Sequence, residues 1–289
     1  MLSKFINSTN KNIIIIYILI IIIIIIFFYH FYTIKKICTA DLDFFIYKND
    51  ENYKTTVMMI GGTHGNEPAG SIAIKELISN LNSNKIKLRN IRLILVPYVN
   101  YCGIQLNERS VPLIGDINRQ YPNHIYINTT DEKIDNKIDN KIDNKIDNKI
   151  DKINKQILEL MDQSDFILDF HEGWDYYRKN KNSIGSSISP SDTDLSYSIA
   201  NLLYEKVNNI IDDDLKKFVI LTKDEVLINK YPNKYFNYDI IKTTLSYYAN
   251  LIKKDYILIE TTGQNDIQEI NIRVKQNNVF INNVLEYFN

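Results

Sequence analysis

His64 and Glu67 stand three residues apart in Gly62-Thr63-His64-Gly65-Asn66-Glu67, and His171 ends the run Asp169-Phe170-His171. At that spacing an imidazole and a carboxylate can reach one ion. A second imidazole from another part of the chain completes a set of two His and one Glu. Such a set leaves one tetrahedral position of a zinc ion open to water, which distinguishes catalytic from structural zinc. The other histidines have different settings: His30 falls in an apolar leader and His124 in a loop. Taken alone, His-x-x-Glu also describes a helix start whose Glu is favoured by the macrodipole. The elements around it must decide between the two.

Those elements read as alternating strands and helices. Residues 55–60 (TTVMMI) are β-prone and run into Gly61-Gly62. A helix follows over about 67–81, with Ile72, Ile74, Leu77, Ile78 and Leu81 at helical spacing. Apolar runs at 91–96, 166–170, 218–221 and 256–259 predict four more strands, and helices are expected at 153–161, 194–207 and from 266 to the C terminus. Residues 41–54 read as a polar linker. Short apolar strands alternating with helices predict an α/β fold: a single domain with a mixed, largely parallel sheet flanked by helices. Both histidines then sit at the carboxyl ends of strands, where open α/β sheets carry their sites.

With these blocks in order, the chain resembles a known family. Gly61 to Gly70 (GGTHGNEPAG) resembles the metal-binding motif of the zinc carboxypeptidase superfamily, in the form used by its aspartoacylase and succinylglutamate desuccinylase branch. Asn100 and Gly103, Arg109, Gly115-Asp116-Ile117-Asn118-Arg119, Asp169-Phe170-His171 and Ile259-Glu260-Thr261 follow in the family's order, across about residues 55–262. The resemblance implies a zinc carboxypeptidase-like fold and one Zn2+ per chain, held by His64, Glu67 and His171. It implies Glu260 as general base, Arg109 as stabiliser of the oxyanion, and Asn118 with Arg119 as binders of a substrate carboxylate. Asp116 would orient an Arg or a His, and Glu172 would support the ligands from behind. The spacing from Arg109 to Asn118-Arg119 is somewhat longer than in that branch. Residues 171–176 and 183–185 are expected to shape the pocket, and Tyr247 or Tyr248 are candidates for a phenol in it.

Outside this region the sequence adds a context. Residues 12–34 carry no charge, residues 13–29 are almost entirely Ile, Leu, Tyr and Phe, and Lys35-Lys36 follow. About 20 residues of helix cross a bilayer core, so 1–40 reads as a single-pass N-terminal membrane anchor with its flanks. A signal peptide cleaved near Cys38-Thr39-Ala40 is the competing reading, and a buried core element is a third. The catalytic domain is then 41–289. Within it, 131–152 contain a Lys-Ile-Asp-Asn repeat whose like charges stack at i,i+4 on a helix. It reads as a low-complexity insertion remote from the chemistry, with a helical arm as the minority reading. The net charge of -1 argues against a nucleic-acid partner. The two cysteines, Cys38 and Cys102, exclude a disulfide framework and a thiolate zinc motif while allowing one bridge.

The expected function is zinc-dependent hydrolysis of an amide near a free carboxylate. The first expectation is deacylation of an N-acyl amino acid. The alternatives are a metallocarboxypeptidase acting on a peptide or cell-wall peptide, and a catalytically inactive membrane-tethered binding module. Membrane attachment through residues 13–34 favours a compartment-specific or macromolecular substrate.

Overall fold

The computed structural model describes residues 15–29, 32, 41–48, 52–111, 115–121, 144–222, 225 and 243–289. His30, Cys38, His124 and 131–143 of the repeat lie outside them. The chain divides into two units, Met1–Ala40 and Asp41–Asn289.

In the first unit, residues 15–29 are helical with exposed side chains. Among the described residues no helix is long and apolar enough to cross a membrane. The transmembrane helix expected over 13–34 is corrected accordingly: 15–29 and 32 are the described part of that stretch, and 12–14, 30–31 and 33–34 lie outside the described residues.

The second unit is built on a seven-stranded sheet. Its strands are β1 (Asp43–Tyr47), β2 (Thr55–Ile60), β3 (Ile91–Tyr98), β4 (Phe166–Gly173), β5 (Ser187–Pro190), β6 (Val219–Ile220) and β7 (Asp255–Thr262). They lie in the order β1-β3-β2-β4-β7-β5-β6. The four middle strands β3, β2, β4 and β7 are parallel. β1 joins β3 and β5 joins β7 in antiparallel fashion. The sheet is thus mixed and largely parallel, as expected. Two strands were not anticipated. β1 falls in the stretch read as a linker, and its edge position leaves Phe44, Phe45 and Ile46 exposed. β5 (SISP) lacks the β-branched run that marks a strand.

The helices are α1 (Pro68–Asn82), α2 (Tyr101–Leu106), α3 (Asn144–Asp162), α4 (Asp194–Asn208), α5 (Leu245–Leu251) and α6 (Ile270–Phe288). α1 and α6 pack on each other and on the sheet. The alternation along β4 and β7 divides their side chains between two environments. Phe166, Leu168, Phe170, Ile257 and Ile259 enter the main core with Ala73, Ile74 and Leu77 of α1 and Phe280 and Val284 of α6. Ile167, Asp169, His171, Tyr256, Leu258 and Glu260 take the opposite face. Both faces are buried, which is why these strands read as continuous apolar runs.

Of the repeat, residues 144–152 are described, and there the helical reading holds. Residues 144–152 are helical and form the first half of α3. Ile153, Ile157, Leu160 and Met161 are buried at helical spacing and fix the second half of the helix. Once nucleated, a helix extends readily. The repulsion of stacked like charges, about 0.2–0.5 kcal/mol per pair, is too weak to stop it.

Candidate metal centre and active site

The loop after β2 is set by backbone geometry. Gly62 has φ +64°, where a side chain would be strained. A Cβ at Gly65 would lie 1.9 Å from the carbonyl carbon of Gly103, so the His64 loop lies directly on α2. The Asn100 side chain accepts a hydrogen bond from the Gly103 amide at 2.7 Å, and its Nδ2 donates to the Arg109 carbonyl at 3.3 Å. Asn100 therefore stitches the Arg109 segment to the loop that carries His64.

Glu67 occupies the N-cap position of α1 but makes no side-chain cap, and Pro follows it inside the first turn. Its carboxylate turns into the site instead. The capping role passes to Glu172 at the end of β4, whose Oε1 accepts from the Ala69 amide at 2.7 Å. Arg273 of α6 donates to the other oxygen of Glu172. Burial pushes the Glu172 carboxyl up to about 7, against the pull of Arg273 and the Ala69 N–H.

His64, Glu67 and His171 converge as expected. Each is at most 3% exposed, and their ligand atoms all lie within 4.8 Å of one another. His64 Nδ1 is 2.9 Å from Glu67 Oε1. His171 Nδ1 is 3.0 Å from Glu67 Oε2 and 3.1 Å from His64 Nδ1. Both imidazoles therefore point Nδ1 at the shared centre. Behind them, on the Nε2 side, stand two aspartates: Asp116 Oδ1 at 3.0 Å from His64 and Asp169 Oδ2 at 3.4 Å from His171. Burial alone would raise the Glu67 carboxyl, but the two histidines outweigh it and hold it well below the usual carboxylate range. Burial likewise disfavours the charged His171, but Asp169 and Glu67 hold its pKa well above the ordinary value.

This donor set fits zinc. Two imidazole nitrogens and one carboxylate meet at a buried point, and each imidazole has a carboxylate behind it, the arrangement that fixes tautomer and ring orientation in zinc sites. Glu67 is further held at Oε1 by Arg109 at 2.7 Å and Gln264 at 2.8 Å, and at Oε2 by the Glu172 amide at 3.1 Å.

The three residues line one side of a cavity of about 220 Å³. Glu260, Arg109, Asn118 and Arg119 line it as well, so the residues expected to hold the metal, catalyse and bind the substrate carboxylate meet there. Glu260 is 6% exposed. Arg109 does more than face the cavity, since it grips Glu67 and, at 3.3 Å, Asp116. Asp116 also accepts from the Asn118 amide at 2.9 Å and lies 4.0 Å from Arg119. The Asn118 side chain accepts from the Leu245 amide at 3.0 Å, tying α5 to the site. Trp174 and Ile184, from the two stretches expected to shape the pocket, are part of its wall. At α5, Thr244 and Ser246 line the cavity rather than Tyr247 or Tyr248. Sequence reasoning missed Gln264, Tyr256 and Arg273. Gln264 had a weak signal, following Gly263 at a strand end. Tyr256 and Arg273 had none, because their partners are 87 and 101 residues away.

The comparisons agree with this geometry. The family model for the succinylglutamate desuccinylase/aspartoacylase catalytic domain matches residues 53–178. No curated protein matches the chain. Among solved structures, product-bound cell shape determinant protein Csd4 from Helicobacter pylori superposes with TM-score 0.63 at 17% identity, covering 86% of this chain and 55% of that one. A succinylglutamate desuccinylase from Silicibacter sp. TM1040 gives 0.53 at 16%, covering 86% and 60%. The product-bound ectoine utilization protein EutE (DoeB) from Ruegeria pomeroyi gives 0.54 at 17%, covering 85% and 60%. The chain thus spans little more than half the length of these proteins, and at such identity they establish the fold alone. The matched catalytic segment, the shared fold and the converging His64, Glu67 and His171 make this chain similar to the aspartoacylase and succinylglutamate desuccinylase branch of the zinc carboxypeptidase superfamily.

Proposed function

We propose that the chain is a zinc-dependent hydrolase of an amide bond near a free carboxylate, with an N-acyl amino acid as substrate. One observation carries this reading: a single cavity is lined by the three converging donors, by Glu260, and by Arg109 and Arg119. When bound, zinc polarises the scissile carbonyl and lowers the pKa of a water towards about 7. Glu260 accepts a proton from the attacking water and passes it to the leaving nitrogen. It lies outside the three-donor group, so its carboxylate can carry that proton. Arg109 stabilises the oxygen that gains negative charge. Arg119 binds the substrate carboxylate through its planar fork, on a loop held by Asn118.

The test is a panel of N-acyl amino acids and short peptides offered to the zinc-loaded protein. Release of the amino acid from N-acyl substrates supports the reading. Zinc-loaded protein that cleaves no amide in the panel overturns it. His64→Ala should abolish stoichiometric zinc binding, and unchanged zinc content in that variant overturns the ligand assignment.

A second substrate reading is favoured by one comparison. Csd4, described as a D,L-carboxypeptidase, has been solved with a tripeptide and with mDAP bound. On that reading the carboxylate at Arg119 is a peptide C terminus. The same panel separates the two readings.

For localisation, we propose attachment to a membrane through the uncharged stretch 13–34, supported by the exposed apolar helix at 15–29. Recovery of full-length protein in the washed membrane fraction supports it. A soluble product whose N terminus starts near residue 40 supports signal cleavage and secretion instead.

A further inference from the structure

The two histidines are backed by carboxylates in unlike surroundings. Asp116, behind His64, is 20% exposed and flanked by two guanidinium groups, Arg109 at 3.3 Å and Arg119 at 4.0 Å. It also accepts the Asn118 amide. Asp169, behind His171, is 1% exposed. It has no Lys or Arg within ion-pair distance among the described residues. Its Oδ1 has no hydrogen-bond partner. Its Oδ2 accepts one hydrogen bond, from the Tyr256 hydroxyl at 2.6 Å. A single phenol hydroxyl thus fixes the position of this carboxylate, where two arginines and an amide fix that of Asp116.

The sheet register explains the meeting. Ile167 pairs with Tyr256, Asp169 with Leu258 and His171 with Glu260 along parallel β4 and β7. Residues two apart on a strand share a face. Asp169, His171, Tyr256 and Glu260 therefore stand on one face of two adjacent strands. His171 turns Nδ1 towards Glu67, so its proton must lie on Nε2 for Nδ1 to act as a ligand. The carboxylate beside Nε2 is Asp169, whose Oδ2 lies 3.4 Å away in an ion-pair contact, while Nε2 makes no hydrogen bond among the described residues.

We propose that Tyr256 is a positioning residue for the metal centre: its hydroxyl orients the Asp169 carboxylate behind His171, and so sets the affinity of the site for zinc. The inference rests on the zinc reading given above. The phenol never reaches the cavity; it acts through Asp169 and then through His171. Loss of such outer partners weakens metal binding by about 10–100-fold in zinc sites.

The experiment is zinc competition against a chromophoric chelator, using the full chain as wild type and as four variants. Tyr256→Phe, which keeps the ring and removes the hydroxyl, should weaken zinc binding by about 10-fold or more. Tyr121→Phe is the control. Its hydroxyl is equally buried, in the same part of the core, and makes no hydrogen bond, so its zinc affinity should equal that of the wild type. In Asp169→Asn, adding Tyr256→Phe should cause little further loss, because the carboxylate that the phenol orients is already gone. Wild-type zinc affinity in Tyr256→Phe overturns the inference. So does an equal loss in Tyr121→Phe, which would mean that any buried phenol matters. If the wild-type chain itself takes up no zinc, the proposed function fails first and this inference with it.

Discussion

His171 on β4 stands directly opposite Glu260 on β7 in the parallel register. One strand of the pair thus carries a member of the converging donor set, and its neighbour carries a carboxylate outside that set. The separation matters chemically, because a carboxylate engaged as a metal ligand is a poor proton carrier. Glu260→Gln keeps shape and removes proton transfer. It should lower turnover by about 10²–10⁴-fold while zinc content stays at the wild-type level. Metal analysis beside steady-state kinetics checks this, and normal turnover in the variant would remove Glu260 from the mechanism.

Arg119 lines the cavity at 19% exposed and is anchored by the Asn118 carbonyl at 2.7 Å. If it binds the substrate carboxylate, Arg119→Lys keeps the charge and loses the bidentate fork. A charge-assisted hydrogen bond contributes about 1.5–3 kcal/mol, so KM should rise about tenfold or more. Substrates whose carboxylate is amidated should lose the same factor with the wild type and no more with the variant. Kinetics on the acid and amide forms of one substrate decides it.

The site was more legible in the sequence than its supports were. His64 and Glu67 are local in sequence, and His171 and Glu260 end apolar strands, so spacing and pattern were enough to find them. The grip of Arg109 on Glu67 was not readable, because it depends on the way Asn100 folds the Arg109 segment over Gly65. Glu172 was expected to lie behind the ligands. That it caps α1 in place of Glu67 follows only from the packing of β4 beside that helix. β1 was missed because an edge strand keeps polar flanks and exposed side chains. β5 was missed because Ile188 is its one β-branched residue, between Ser187 and Ser189 and followed by Pro190. The helix over 144–152 was only the minority reading because local charge stacking, worth tenths of a kcal/mol, was set against a helix fixed by tertiary burial of Ile157 and Met161.

Glu172 and Arg273 tie β4 and the start of α1 to α6 through a buried ion pair. Removing one member leaves the other charge uncompensated in the core, at a cost of about 3–5 kcal/mol. Arg273→Ala should therefore lower the urea midpoint strongly. Replacing both residues together, as Glu172→Gln with Arg273→Met, should cost less than Arg273→Ala alone, since no unpaired charge remains. A double variant that is less stable than the single one would mean that the pair stabilises the fold by attraction rather than by mutual compensation.

Tyr121 and Tyr256 give the fold a dependence on alkaline pH. Burial and the nearby Asp169 raise both phenols above their ordinary range, Tyr256 most directly through its hydrogen bond to that carboxylate. In the unfolded chain each ionises near pH 10. A folded-state pKa above that value means the folded form holds its proton where the unfolded form has lost it. The stabilisation is complete below about pH 10 and is lost as pH rises from there through the folded pKa, by about 1.4 kcal/mol per pH unit for each phenol. Urea unfolding of metal-free protein at pH 8, 10 and 11 should show that slope. Tyr256→Phe should flatten it by one phenol's share while costing stability at pH 8, where the wild type still has the hydrogen bond to Asp169. An unchanged slope in the variant would place the alkaline sensitivity on other groups.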